Sequence, residues 1–276
     1  MIQDKIIDPE LLDPAYMDRG TFFGDGVYEV IRSYNGKIFA LDQHLARFER
    51  SLKAIEINNI DIDDVRKRIM AAFEKAQKPN CAIYFHITRG SGPRDHNWSD
   101  DMKPNFFLTL SEITDYETLK ETGVKVCFYK DIRWDRCDIK SLNLLANVLA
   151  KHYAKQKGCY EAILLDGRGD VTEGSSSTFA AIFGNDIVTR PLGHDILPSI
   201  TRGFISQIAE MTGMNMVEKI LCPYDLYKAD EMFMGVTTKD IVGIVEVEGR
   251  KVSGGLTGPK TRKLQSAFQE LIKRSG

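Results

Sequence analysis

Arg136-Cys137-Asp138-Ile139-Lys140-Ser141-Leu142-Asn143-Leu144-Leu145 is the stretch on which the fold of this chain turns. It sets a lysine just ahead of an apolar run, Leu142 to Lys157, whose pattern predicts a helix. A lysine in that position can be drawn into a protein interior. Burial and neighbouring cations there favour the neutral amine, the nucleophilic form. That is the chemistry needed to hold an aldehyde as a Schiff base. Alone the stretch decides little, because the chain has 37 Lys plus Arg and most such side chains are solvated surface charges. The residues around it supply the weight.

Working outward, elements of two kinds flank the stretch. Toward the N-terminus, Leu41, Leu45, Phe48, Leu52 and Ile55 recur at spacings of four and three, an amphipathic helix over 41–57. A second helix is expected from about Asp63 to Lys78, with Val65, Ile69 and Phe73 on one face. Ala82 to Thr88 and Asn105 to Leu110 read as strands, joined by the Gly- and Pro-bearing loop Arg89 to His96. The polar segment Ser111 to Thr122 is the expected linker. Beyond it, Val124, Val126 and Phe128 alternate as a strand and Ala162 to Leu165 reads as a buried one. Asp166 to Asp170 is a turn, Pro198 to Arg202 begins a helix that runs through Phe204 to Met211, and a last helix extends from Gly258-Pro259 to Ser275-Gly276. The expectation is a mixed α/β (α+β) chain of two domains, 1–115 and 116–276.

The totals set bounds. At 276 residues, two domains of ordinary size fit. A formal net charge of −2 gives no basic face for nucleic acid. No stretch approaches the roughly 20 apolar residues of a membrane span, and Met1 to Lys5 lacks the features of a signal peptide. The five cysteines form no Cys-x-x-Cys pair, which points to free thiols in a reducing cytoplasm and to no zinc site.

Several groups carry potential chemistry. Glu173-Gly174-Ser175-Ser176-Ser177 joins a turn to the apolar run Phe179 to Phe183, offering hydroxyls and amides where glycine permits close approach. A polar turn is the plainer reading. Glu173 beside a pyridine nitrogen would keep that nitrogen protonated. Ser199-Ile200-Thr201 at a helix N-terminus leaves amides for a phosphate, or simply caps the helix. Thr237-Thr238 follow the strand Met232 to Met234 and could add hydroxyls. Arg47 lies off the apolar stripe of its helix, a place where arginines are usually solvated. Arg94 and His96 could grip a carboxylate or stand exposed, and Tyr28 could be a strand residue packing its ring. No nucleotide-binding, zinc-protease or serine-hydrolase motif is present.

Taken together these stretches resemble the fold-type IV pyridoxal-phosphate enzymes, and within them the D-amino-acid aminotransferases. The likeness runs from Asp18-Arg19-Gly20 to Thr261-Arg262-Lys263-Leu264-Gln265. It is strongest at Phe23 to Val30, Asp131 to Trp134, Arg136 to Leu145, Lys157 to Leu164 and Val171 to Ser177. The resemblance implies a smaller N-terminal α/β domain and a larger C-terminal α/β pseudo-barrel. It implies pyridoxal 5'-phosphate as cofactor, with Lys140 as its Schiff-base lysine and Glu173 facing the pyridine nitrogen. Arg47, Ile200 (by its amide), Thr201 and Thr238 match phosphate contacts; Leu197 packs on the ring and Ser176 lies beside it. Tyr28, Arg94 and His96 match a trap for the substrate α-carboxylate, with the Arg94 and His96 loop reaching in from a second subunit. The implied activity is ping-pong transamination between a D-amino acid such as D-alanine and a 2-oxo acid such as 2-oxoglutarate, in a homodimer without nucleic-acid or membrane partners.

Tyr28, Arg94 and His96 together separate this group from the branched-chain L-amino-acid aminotransferases, which have Phe-Glu-Gly where this chain has Tyr28-Glu29-Val30. A branched-chain enzyme and an aminodeoxychorismate lyase are the alternatives, and a binding protein without catalysis is the non-enzymatic one. Arg32, Asp95 and Thr178 depart from the pattern, which bears on substrate range and cofactor affinity.

Overall fold

Residues 2, 4–113 and 117–274 are described by a computed structural model of the chain. Two sheets organise it. The first has four antiparallel strands in the order β2-β1-β3-β4: β1 (Gly26–Tyr34), β2 (Lys37–Ile38), β3 (Cys81–Thr88) and β4 (Asn105–Glu112). A short helix, α1 (Arg19–Phe23), precedes it, and α2 (Leu41–Ala54) and α3 (Ile62–Ala76) accompany it. Strand period and helix period meet in one core. Val27 and Ile31 of β1 and Ile83, Phe85 and Ile87 of β3 bury the same face on which α2 lays Leu45, Phe48 and Leu52. Val65 and Ile69 of α3 close that core, and the Asp61 carboxylate caps α3 through the Asp63 amide (2.9 Å).

The second sheet has the order β10-β9-β8-β11-β12-β5-β6-β7, with β13 beside β12. Its members are β5 (Val124–Lys130), β6 (Glu161–Leu165), β7 (Val171–Gly174), β8 (Thr178–Phe183), β9 (Asp186–Thr189), β10 (Asn215–Glu218), β11 (Glu231–Val236), β12 (Asp240–Val247) and β13 (Arg250–Lys251). Helices α4 (Glu117–Thr122), α5 (Leu145–Gln156), α6 (Ile200–Met211), α7 (Pro223–Leu226) and α8 (Pro259–Arg274) complete the chain. The strand order forces curvature. β8 and β7 stand five places apart, about 24 Å in a flat sheet, yet only Ser175 to Ser177 join them, and three residues span at most about 14 Å. The sheet curls back into a half-barrel whose lip is this serine turn.

Most expected elements are present within a few residues. Two boundaries differ by three residues: the helix expected over 41–57 ends at Ala54, and the other lies at the lysine stretch. The helix expected from Leu142 begins at Leu145. Residues 140–142 pair instead with β1, Tyr28 N donating to Lys140 O and Leu142 N to Gly26 O, both at 2.9 Å. Backbone pairing with a neighbouring strand satisfies these groups as a helix would, and it ties the lysine stretch to the first sheet. In the expected linker, Ser111 and Glu112 end β4 and Glu117–Thr122 is helical. The expected boundary between residues 115 and 116, and the last two residues of the final helix, lie outside the described residues. Among the described residues no helix is long and apolar enough to cross a membrane.

Candidate active site

A cavity of about 360 Å³ opens between the two sheets. Tyr28 comes to it from β1, Arg47 from α2, and Arg133 to Lys151 from the segment after β5 and from α5. Glu173 to Thr178 form the serine turn, Leu197 and Ser199 lead into α6, and Gly235 to Thr237 end β11. Of the expected residues, Tyr28, Arg47, Lys140, Glu173, Ser176 and Leu197 line one space.

Lys140 is half-buried, not sealed in the interior. Its Nζ lies 3.3 Å from the Tyr28 hydroxyl and 4.3 Å from the centre of that ring. The backbone pairing described above sets this contact, and the Ser51 hydroxyl on α2 accepts the Lys140 amide at 3.3 Å.

Glu173 is 6% exposed. Its Oε1 accepts from Arg133 Nη1 (2.5 Å) and from the Leu197 amide (3.1 Å). Burial pushes the carboxyl above the usual range, and the Arg133 guanidinium pulls against that shift. Arg133 is itself clamped, Nε and Nη2 on Asp131 (3.0 and 2.7 Å) and Nη2 on the Asp195 carbonyl (3.1 Å). The chain stretch Asp131 to Trp134 carried part of the resemblance, but nothing local in it pairs Arg133 with a residue forty positions away.

Arg47 departs from the usual behaviour of arginines at such helix positions. It is 3% exposed, although it lies off the apolar stripe of α2. The reason is Glu29 on β1, which is fully buried and accepts Arg47 Nε (2.7 Å) and Nη2 (2.8 Å), and His44 Nδ1 (2.8 Å). Burial alone would raise the Glu29 carboxyl, but Arg47 and His44 hold it down at about 2. The third nitrogen of Arg47 donates to the Pro198 carbonyl (3.1 Å), which brings the cation to the start of α6.

At that start, Ser199 Oγ accepts only the Arg202 amide (3.2 Å). The amides of Ile200 and Thr201, orphaned by helix geometry, remain for a ligand. Thr201 is buried, and the cavity wall itself is made by Ser199. Gly235 stands opposite Thr178 and Thr201, where a Cβ would meet their methyl groups at 2.7 and 3.2 Å. After β11 the lining residue is Thr237; the neighbouring Thr238 gives its carbonyl to Arg32 (2.8 Å).

The serine turn has a partner that sequence reading missed. Ser176 Oγ donates to Glu161 Oε2 (2.6 Å), Ser175 Oγ donates to the other oxygen, and Lys151 Nζ lies 3.2 Å from Oε2. Glu161, buried at the start of β6, thus fixes the lip of the half-barrel. Arg94 and His96 do not line this chain's cavity. They are exposed in the loop between β3 and β4.

The site joins an amine, a buried carboxylate and a cationic helix N-terminus around one cavity, which suits an anionic heteroaromatic ligand. The family model for class IV amino-transferases matches residues 26–247. The chain belongs to that family. It is similar to a D-alanine aminotransferase of Staphylococcus epidermidis, 40% identical over 99% of this chain and 97% of that one. A D-alanine aminotransferase of Bacillus licheniformis is 38% identical over 92% and 90%. Among solved structures, the branched-chain amino acid aminotransferase of Escherichia coli superposes with a TM-score of 0.88 at 24% identity, over 97% of this chain and 92% of that one. That of Thermoproteus uzoniensis gives 0.85 at 24%, over 98% and 93%. The expected fold class, a mixed α/β aminotransferase with a curled C-terminal sheet, stands.

Proposed function

We propose that this aminotransferase moves an amino group from a D-amino acid such as D-alanine to a 2-oxo acid such as 2-oxoglutarate, with pyridoxal 5'-phosphate as cofactor. The observation that carries the reading is the cavity in which the Lys140 amine, the buried Glu173 carboxylate and the N-terminus of α6 meet. Full-length relatives named D-alanine aminotransferases support the D-specific form over the branched-chain one.

The donor set fits the cofactor. Arg47, the Ile200 and Thr201 amides and the Thr237-Thr238 turn would hold the phosphate, with Gly235 letting Thr201 pack close against β11. Leu197 would pack on the ring and Ser176 stand at its edge. Glu173 would hold a proton on the ring nitrogen, and Arg133 fixes one oxygen of Glu173 so that the carboxylate keeps its orientation. When bound, pyridoxal phosphate supplies a reactive carbonyl carbon and a conjugated ring that accepts the electron pair released at the substrate Cα.

Lys140, whose Nζ faces the cavity, would be the residue that holds the cofactor's carbonyl carbon. The same Nζ would accept the Cα proton of the substrate and later give it up, as general base and acid. Tyr28, 3.3 Å from that nitrogen, keeps it aligned and presents a hydroxyl to the substrate carboxylate. Arg94 and His96 complete the carboxylate grip from a second copy, which accounts for their standing outside this chain's own cavity. The enzyme in this reading is a cytoplasmic homodimer with shared sites. Its chain divides between residues 115 and 116 into an N-terminal domain built on the four-stranded sheet and a C-terminal one on the nine-stranded sheet. The two sheets' separate cores support that division.

The test is product analysis with purified protein, cofactor, D-alanine and 2-oxoglutarate. Pyruvate and D-glutamate in equal amounts are expected. Turnover of L-leucine but not D-alanine would place the chain with the branched-chain enzymes, and pyruvate from aminodeoxychorismate without an acceptor would make it a lyase.

A further inference from the structure

Arg19 is 3% exposed, yet it lies in a five-residue helix that leads into β1. A buried guanidinium must place its N–H groups on acceptors. Arg19 Nε donates to Asp25 Oδ2 (2.8 Å). Every other hydrogen bond of its side chain ends on the backbone of one loop. Nη1 donates to the carbonyls of Asp95 (2.5 Å) and Asn97 (3.1 Å), and Nη2 to that of His96 (3.1 Å).

The same loop is held at two further points. Arg89, 6% exposed, also pairs with Asp25 (Nε 2.9 Å, Nη2 3.0 Å), and its guanidinium lies 3.9 Å from the centre of the Trp98 ring. Gly90 holds φ at +129° and accepts the Arg19 amide (2.9 Å); a Cβ there would fall 2.3 Å from the Lys103 carbonyl oxygen, so the loop base admits only glycine. The Phe23 ring, at the end of α1, is a platform for three cations or imidazoles. Arg19 stands 4.8 Å from its centre, Arg94 5.2 Å and the His96 ring 5.2 Å.

We propose that Arg19 is a positioning residue for the Arg94 and His96 pair, acting through the three loop carbonyls and the Phe23 ring to hold both side chains ready for a substrate carboxylate. The proposal rests on the D-amino-acid reading above, in which Arg94 and His96 grip that carboxylate. Its physical basis is reciprocal: if the loop shifts, a buried charge loses its acceptors, so the loop cannot wander without a large penalty. Pre-organisation of this kind lowers the cost of binding without any contact between Arg19 and substrate.

The experiment compares cofactor-loaded wild-type dimer with Arg19→Lys, Phe23→Leu, Arg94→Leu and the Arg19→Lys/Arg94→Leu double variant. Lysine keeps the charge and the pairing with Asp25 but not the fork that spans three carbonyls. For Arg19→Lys the D-alanine concentration giving half-maximal rate should rise about 10- to 100-fold, with cofactor affinity unchanged. Amide exchange across residues 94–98 should quicken while that of β3 does not. Phe23→Leu, which leaves the buried ion cluster intact, should raise the same concentration about 2- to 5-fold. In the double variant Arg19→Lys should add less to Arg94→Leu than it adds to wild type, since both act through one grip of which only the His96 half then remains.

Full additivity of the two, or unchanged loop exchange in Arg19→Lys, would overturn the proposal while leaving the D-amino-acid reading intact. If Arg94→Leu itself had no effect on D-alanine, the reading of the trap would fall, and the proposal with it. Should Arg19→Lys fail to fold, Phe23→Leu decides: no change in D-alanine saturation sinks the idea.

Discussion

Glu29 and Glu173 are both buried glutamates paired with an arginine, and they titrate in opposite directions. Glu29 has a bidentate Arg47 and His44 on its two oxygens, and its carboxyl falls to about 2. Glu173 has one bond from Arg133, whose other contacts go largely to Asp131, and the Leu197 amide. Burial wins there and the carboxyl rises, with the nearby Asp131 charge adding to it. The difference is the number of donors per carboxylate. A carboxylate saturated by its own protein is held down; one left short of partners rises, at some cost in stability, which suits the ligand role proposed for Glu173.

Four variants and one titration bear on that contrast. The largest effect is expected of Lys140→Ala, which should abolish turnover while leaving the fold intact by circular dichroism, because both glutamate clusters survive it. Glu29→Gln should destabilise the protein by about 3–5 kcal/mol in urea unfolding, since it strands the buried Arg47. Its mirror, Glu173→Gln, should reduce kcat by about 10²- to 10³-fold with a much smaller change in unfolding free energy. Equal stability losses in the two variants would erase the distinction drawn between them.

The pH dependence follows with opposite signs. Glu29 titrates at about 2 when folded and near 4.5 when unfolded. Its contribution, on the order of 3 kcal/mol, is therefore full above pH 4.5 and lost as pH falls toward 2. Glu173, raised when folded, costs stability above pH 4.5, and acid relieves that cost. The stability gap between wild type and Glu29→Gln should narrow between pH 5 and 3, whereas a gap that stays constant contradicts the assignment. The smallest effect is that of Ser176→Ala, about 1 kcal/mol, because Ser175 and Lys151 still hold Glu161.

What could be read in advance follows the same division. The helix over 41–54 and the strand over 81–88 are periodic, and periodicity is local, so both were legible. The family was legible in the lysine stretch through its length and order. Glu29, His44, Arg133 and Glu161 were not, because their roles depend on partners 10 to 40 positions away, and charged residues carry no local mark of burial. Arg47 shows the same limit: its place off the apolar stripe is one where arginines are usually solvated, and only Glu29 beneath it accounts for its burial. The start of α5 was misplaced by three residues because backbone pairing of 140–142 with β1 cannot be seen in side-chain spacing. Arg94 and His96 stand out in sequence as an Arg-x-His pair in a Gly- and Pro-bearing loop, but the clamp of Arg19 on the carbonyls of 95–97 leaves no trace in residue type.

The most direct test of D-amino-acid transamination is the visible absorption of the cofactor-loaded protein on adding D-alanine, and separately L-leucine, with no oxo acid present. The account predicts that D-alanine converts the cofactor to its amine form and shifts the spectrum, and that L-leucine leaves it unchanged. A shift with L-leucine alone would contradict the D-specific reading, and no cofactor band bound at Lys140 at all would contradict the whole of it.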